Sequence, residues 1–236
     1  MRQCRFNSCE IETFRLLSFS NRKHSFITSK TTMVISSYTW NLANQCFILA
    51  ITVCMSVKCA QMKFQKTATH AFLCTLGFVF LSAEGMMVRC NNNWLTRSLH
   101  PDTKTTLHFW LQLIGGILGV AGTLQKSLPK EHHFRSWHGK LGLAACVFFV
   151  INCLSGSLGL YSWGYRQYVS PAVNNFIHNF LGLLTFVTAM LAQYTGYNTG
   201  FFRRNLKEHE KFYKYLTAAV LVLTTWGPLM IFLRKL

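Results

Sequence analysis

The chain has 236 residues, of which half are hydrophobic and only 13% are charged, and its formal net charge is +17. So low a charged fraction excludes an ordinary soluble surface. The excess of Lys and Arg does not indicate nucleic-acid binding, because most of these residues lie in the N-terminal tail and between apolar runs. We therefore predict an integral membrane protein with no nucleic-acid partner.

Six apolar runs follow one another along the chain, and each is close to the roughly 20 residues that a helix needs to cross a bilayer. They cover residues 34–57, 68–88, 107–125, 138–160, 174–197 and 213–233. Hydrocarbon offers backbone amides no other partner, so each run is predicted to be helical. Strands of a membrane barrel would be about 10 residues long and would alternate in polarity. The predicted fold class is all-α, a six-helix integral membrane bundle, with Pro228 kinking the last helix.

Residues 1–33 differ in composition from the rest. This segment carries six Lys and Arg and has no clean apolar core followed by a small-residue cleavage site. It is predicted to be a polar, basic and disordered tail and not a signal peptide, and residues 34–236 are predicted to form the membrane domain. If the N-terminus is cytosolic, the 24 Lys and Arg divide equally between the two sides. The positive-inside rule therefore assigns no orientation.

Four of the nine histidines stand near the start of the four central predicted helices: His70, His108, His138 and His178. Helices two and four run in one direction and helices three and five in the other. His70 and His138 are therefore predicted to share one face of the membrane, and His108 and His178 the opposite face. One such histidine would be an ordinary interfacial residue, but ionisable groups in four successive helices indicate a functional site.

Two imidazoles that face each other in a helical bundle are the usual axial ligands of a haem iron. Zinc would require about four ligands, and no cysteine or carboxylate accompanies either pair. A proton relay would place histidines across the membrane and not at its two edges. Two haems, each between two histidines, fit best, and with both axial positions filled the iron would carry electrons. Two alternatives stay open: a haem-free metal or proton transporter, and a subunit that holds haem for a partner oxidoreductase.

The segments around these histidines resemble the cytochrome b561 family, most closely its short domain-containing transmembrane reductases. The similar segments are "AFLCTLGFVFLSAEGMMV" after His70, "TLHFWLQLIG" around His108, "HFRSWHGKLGL" around His138 and "FIHNFLGLLTFV" around His178. The resemblance covers about residues 34–236. The chain departs from the family at Ala71, where proline is frequent, and at Gly139–Lys140, where Ser-Trp is frequent.

This resemblance implies an ascorbate-dependent transmembrane reductase with two b-type haems held between the four central helices. Cytosolic ascorbate would reduce the haem at His108 and His178, and the electron would pass to the haem at His70 and His138. Monodehydroascorbate or ferric iron would accept it on the non-cytosolic side. The resemblance also implies cytosolic termini, an endoplasmic reticulum or cytoplasmic vesicle membrane, and a homodimer as one possible assembly.

Two further residues are predicted to be catalytic. Glu84 lies 14 residues after His70, about 21 Å along a helix, which places it near the opposite face. It could accept a proton from the donor or orient a ligand, or simply pair with Arg89. Lys104 lies one helical turn before His108, where its ammonium could attract an anionic donor such as ascorbate, or snorkel to the interface.

Four polar residues of the fourth and fifth helices are also predicted to face or flank the bundle. There they could hydrogen-bond haem propionates or neighbouring helices. They are Asn152, Ser155, Asn174 and Asn175.

Overall fold

The computed structural model describes residues 38–90, 93–129, 131, 135–160 and 168–233. The predicted N-terminal tail lies outside these residues. Residues 41–236 belong to one compact unit, and residues 1–40, described only from Tyr38, belong to another. The regular secondary structure of the described residues is entirely helical, which confirms the all-α prediction.

Within the described ranges, seven α-helices succeed one another, six of them long. Their bounds are α1 Tyr38–Gln61, α2 Lys66–Val88, α3 Pro101–Ser127, α4 Trp137–Leu160, α5 Pro171–Gly196, the short α6 Gly200–Leu206, and α7 Glu210–Leu233. Helices α1 to α5 are each long and apolar enough to cross a membrane. The prediction of six long helices is confirmed. Pro228 lies inside α7, which continues beyond it to Leu233.

Helix α3 begins six residues before the apolar run that predicts it, because local capping extends it. The His100 side chain accepts a hydrogen bond from the backbone N–H of Asp102, and Pro101 occupies the first turn. Proline is favoured there because its missing N–H would have had no partner in the helix. Helix α5 likewise has Pro171 in its first turn.

Helix α2 contains a π-helical segment, Thr75–Leu81, between two α-helical parts. The Ser82 hydroxyl donates to the Gly77 carbonyl, five residues back, at 3.1 Å. A π turn takes more residues than an α turn, so each residue advances through a smaller angle. The last part of α2, which holds Glu84, is therefore rotated relative to the first part, which holds His70.

Helices α2 and α3 approach each other through glycines. A Cβ atom on Gly77 would overlap with the carbonyl oxygen of Gly115, and one on Gly119 would overlap with the Phe78 ring. Small residues at such crossings let helix backbones approach closely within a membrane. The α4 and α5 helices also pack extensively on each other. The four central helices therefore form two hairpins, α2/α3 and α4/α5.

The other long helices, α1 and α7, pack against α2 and α5. Their shared core is an apolar cluster to which Ile48, Val79, Met190 and Val220 contribute, each with no exposed surface. Within this part of the bundle the Asn44 side chain donates to the Thr224 hydroxyl at 2.9 Å. Both groups are buried, so each provides the other with a hydrogen-bond partner, which lipid chains could not supply.

We expect Gly77→Ala to destabilise the protein by about 3 kcal/mol, because backbone atoms of α3 cannot move aside as a flexible side chain would. Thermal unfolding of the purified protein in detergent measures the effect. Gly159→Ala in α4 is the matched control, since a Cβ there would make only an ordinary contact with Nδ2 of Asn174 at 3.4 Å. Equal unfolding temperatures for the two variants would contradict the close α2–α3 approach.

Candidate functional site

The four helix-edge histidines lie in two close pairs. His70 of α2 and His138 of α4 have ring centroids 5.8 Å apart, and this pair is called site A. His108 of α3 and His178 of α5 have ring centroids 6.1 Å apart and form site B. In each pair the ring planes meet at 81°. Each hairpin therefore supplies one imidazole to each site.

The imidazole orientation is set by backbone carbonyl groups of the neighbouring helix in the same hairpin. Three Nδ1 atoms lie at hydrogen-bond distance from such an oxygen: His70 from Gly122 at 2.8 Å, His108 from Gly85 at 2.7 Å, and His138 from Ala192 at 2.8 Å. A carbonyl can only accept, so Nδ1 must carry the hydrogen and Nε2 the lone pair. These imidazoles are thus in the tautomer that binds a metal through Nε2.

The fourth imidazole, that of His178, has a different environment. Its Nδ1 atom is buried and makes no hydrogen bond, although the Asn152 backbone lies beside it. Three more buried side-chain oxygens of α2, α3 and α4 have no hydrogen-bond partner: Oε1 of Glu84, Oε1 of Gln125 and Oδ1 of Asn152. A buried polar atom without a partner is costly, so unpartnered atoms along the central helices are consistent with a further polar group there.

The spacing of each pair fits a haem iron. With metal–nitrogen bonds of about 2 Å and ring nitrogens about 1 Å from their centroids, two axial imidazoles stand with centroids about 6 Å apart. Among the described residues, no group of three or more His, Cys, Asp or Glu side chains could hold a metal. The donor set is therefore two imidazoles, which suits an iron whose other ligands come from a porphyrin and does not suit a four-ligand zinc site.

Glycines leave room around the rings. A Cβ on Gly142, one turn after His138, would meet no atom within 4 Å. A Cβ on Gly196 of α5 would lie 3.2 Å from Cε1 of His138. The imidazole is thus held closely by its own hairpin, and the open space lies at Gly142, one turn further along α4.

Glu84 lies at the level of site B, because the adjacent Gly85 accepts the hydrogen bond of His108. Its Oε2 atom accepts a hydrogen bond from Nε2 of Gln45 on α1 at 3.0 Å. The alternative pairing with Arg89 is not formed, since Arg89 donates to the Thr105 hydroxyl at 2.8 Å. Gln45 was missed by sequence reasoning, because α1 carries none of the four paired histidines and nothing in the sequence distinguishes this amide from its polar neighbours.

Two basic residues stand at the mouth of site B. The Arg89 guanidinium is close enough to interact electrostatically with both rings of the pair. Lys104, half-buried one turn before His108, lies near the Cys90 thiol. Burial raises the pKa of Cys90, and the Lys104 ammonium partly opposes that rise. The entrance to site B is thus positively charged.

A polar clasp joins α4 to α5 near site B. Asn174 Nδ2 donates to the Ser155 carbonyl at 3.1 Å, and the Ser155 hydroxyl donates to Asn174 Oδ1 at 3.3 Å. These two residues therefore bind neighbouring helices to each other, one of the two roles predicted for them. Asn175, the next residue, is exposed.

Together these features define a multi-pass helical membrane protein with a facing pair of imidazoles near each end of its central helices. The chain belongs to the eukaryotic cytochrome b561 family, whose model matches residues 69–203. This match lies within the predicted membrane domain and includes all four paired histidines.

Two curated proteins are similar to part of the chain. It is 34% identical over 95 residues to the transmembrane reductase CYB561D2 of Bos taurus, a match that covers 39% of this chain and 42% of the relative. The mouse protein of the same name, from Mus musculus, is 32% identical over 95 residues, with the same shares. The matched region thus spans about two-fifths of the length of these relatives.

We expect Asn174→Ala to weaken the α4–α5 clasp and to destabilise the protein by about 1 kcal/mol, since two interhelical hydrogen bonds are lost. Thermal unfolding in detergent measures the change. Asn175→Ala removes the neighbouring amide, which is exposed, and should unfold like the wild type. A larger loss in Asn175→Ala than in Asn174→Ala would contradict the clasp.

Proposed function

We propose that the protein transfers electrons across a membrane through two b-type haems, from cytosolic ascorbate at site B to monodehydroascorbate or ferric iron at site A. The observation that carries this proposal is the pair of facing imidazoles near each end of the four central helices. Family membership supports transmembrane electron transfer, and the similar curated proteins are named transmembrane reductases. The choice of ascorbate and of these acceptors follows from the family resemblance.

The four histidines would hold the haems as axial ligands. A bound haem supplies an iron that alternates between two oxidation states, one electron apart. The Nε2 atoms of each pair would occupy both axial positions and so leave no position for oxygen. The carbonyl groups of Gly85, Gly122 and Ala192 would keep three of the imidazoles fixed by bonds to Nδ1. Such outer contacts fix a ligand's tautomer and orientation.

Lys104 and Glu84 would serve the donor at site B. Ascorbate monoanion loses one electron and one proton when it becomes the monodehydroascorbate radical anion. The Lys104 ammonium would attract the anion to the entrance. Glu84, whose Oε1 atom is without a partner, would receive the proton, and Gln45 would hold the other carboxyl oxygen.

A proton transporter that uses the same residues is less compatible with the packing. Glu84 lies at one end of the α1/α2/α5/α7 core, and a polar group formed by Gln193, Tyr197 and Thr217 lies towards the other. Between them, Ile48 and Val79, each with no exposed surface, belong to the apolar cluster. Apolar packing of the core therefore lies between the two polar groups.

The proposal is tested by a reduced-minus-oxidised spectrum of the purified protein, with haem quantified per chain and ascorbate as the reductant. We expect two haems per chain, and loss of one haem in each of His70→Ala, His138→Ala, His108→Ala and His178→Ala. The double variant of His70 and His138 should lose no more haem than either single variant, whereas that of His70 and His108 should lose both.

Other outcomes would point elsewhere. A haem-free protein would overturn the proposal and favour the transporter. Normal spectra without reduction by ascorbate would favour a subunit that holds haem for a partner oxidoreductase. Loss of both haems from every single variant would mean that the pairs are not separate sites.

We expect Lys104→Gln to raise the KM for ascorbate about fivefold, because one favourable charge interaction of about 1 kcal/mol is removed. Stopped-flow reduction by ascorbate measures the change, and Lys104→Arg should restore most of the affinity. Lys211→Gln, an exposed lysine at the start of α7, is the control for net charge. A similar rise in KM in both glutamine variants would show that Lys104 has no specific role.

A further inference from the structure

The short helix α6 lies against the bundle with its cations pointing outwards. Phe202 and Leu206 are buried, at 4% and 3% exposure, in an aromatic-rich cluster. Arg203 and Arg204, on the other side of the helix, are exposed. Because two apolar anchors fix the helix, the two guanidinium groups are presented from a defined surface.

The same cluster brings the α1–α2 turn beside α6. Cys59 at the end of α1 and Ala68 at the start of α2 are buried in it together with Phe202 and Leu206. Exposed lysines lie in the turn between them and after α6. We call the whole set the basic collar, and it consists of Lys63, Lys66, Arg203, Arg204, Lys207 and Lys211.

The two acidic residues that follow α6, Glu208 and Glu210, do not neutralise the collar. Glu210 receives a hydrogen bond from Lys214 at 2.6 Å, which lowers its pKa most, and the charges of Arg203 and Lys207 lower that pKa further. Glu208 is exposed. Among the described residues, no side chain of the collar forms an ion pair. The collar therefore carries a net positive charge that is free to bind an external anion.

The turn that carries Lys63 has a defined conformation. Lys63 and Phe64 have φ values of 52° and 48°, in the left-handed region that side chains other than glycine rarely adopt. The Phe64 carbonyl accepts a hydrogen bond from the Thr69 hydroxyl at 2.6 Å, and its ring packs on Phe72 at 5.2 Å. These contacts hold the strained turn and keep Lys63 directed outwards, where it is exposed.

Exposed aromatic rings lie beside the collar in the chain. Phe64, Phe212 and Tyr215 are 45%, 51% and 75% exposed. Aromatic side chains are enriched at the level of lipid headgroups, where one part of the ring is in an apolar environment and the other is hydrated. Basic residues at that level attract acidic lipids, and a guanidinium can bind a phosphate through two hydrogen bonds.

We propose that the basic collar binds the phosphate groups of anionic phospholipids in the leaflet next to site A. This interaction needs neither haem nor an electron donor, so it stands independently of the proposed function. The collar would select these lipids by their negative charge and by the depth of their phosphate groups in the membrane, because it combines cations with exposed aromatic rings.

The test uses the full chain in vesicles of phosphatidylcholine that contain a minor fraction of phosphatidylserine. The protein is extracted with its surrounding lipids by a nanodisc-forming polymer, and the phosphatidylserine content of the discs is compared with that of the vesicles. We expect enrichment of phosphatidylserine, and we expect the lipid affinity calculated from it to fall roughly fivefold for each cation removed. The variants are Arg204→Gln and the double variant R203Q/R204Q, and R203K/R204K should retain most of the enrichment.

Two comparisons make the result decisive. Arg97 is exposed at the opposite membrane face, so Arg97→Gln should leave the enrichment unchanged. The haem content should be equal in all variants. Absence of enrichment, or enrichment that survives in R203Q/R204Q, would overturn the proposal. Enrichment abolished by excess inorganic phosphate at constant ionic strength would identify a site for a soluble anion and would also overturn it.

Discussion

The hydrogen bond from a histidine Nδ1 to a backbone carbonyl of the neighbouring helix is the interaction on which both sites depend. It occurs at three of the four imidazoles, each time across the two helices of one hairpin. A bond of this kind fixes the rotation of the ring and the location of its hydrogen together. The remaining nitrogen, Nε2, is then the one through which the imidazole can bind a metal. The glycine contacts between the helices matter because they bring those carbonyl groups within reach.

The sequence predicts the helices well, because long apolar runs have few alternative explanations. It also draws attention to the four histidines, because ionisable residues are rare within such runs. It does not predict the acceptors at Gly85, Gly122 and Ala192, since every residue has a carbonyl group and nothing in a side chain marks the one that is used. The first residue of a helix is also not predicted where the capping residue lies well before the apolar run, as His100 does for α3.

Glu84 shows a second limit of sequence reasoning. Counting residues along an ideal helix gives its height in the membrane, and the neighbouring Gly85 is at the level of site B as expected. Counting does not give its direction, because the π-helical segment Thr75–Leu81 rotates the end of α2. The carboxyl group consequently meets Gln45 on α1, and α1, which supplies none of the paired imidazoles, becomes part of the surroundings of site B.

The division of the four ligands between two hairpins also has a consequence for assembly. Each hairpin is held together by its own close contacts, whereas α3 and α4, from different hairpins, touch less extensively. Each hairpin can therefore insert and pair its helices before any cofactor arrives. A group bound between His70 and His138, or between His108 and His178, would then cross-link the two hairpins at one end. Cofactor supply would thus add further links between the two hairpins, beside the apolar core in which α2 and α5 already meet.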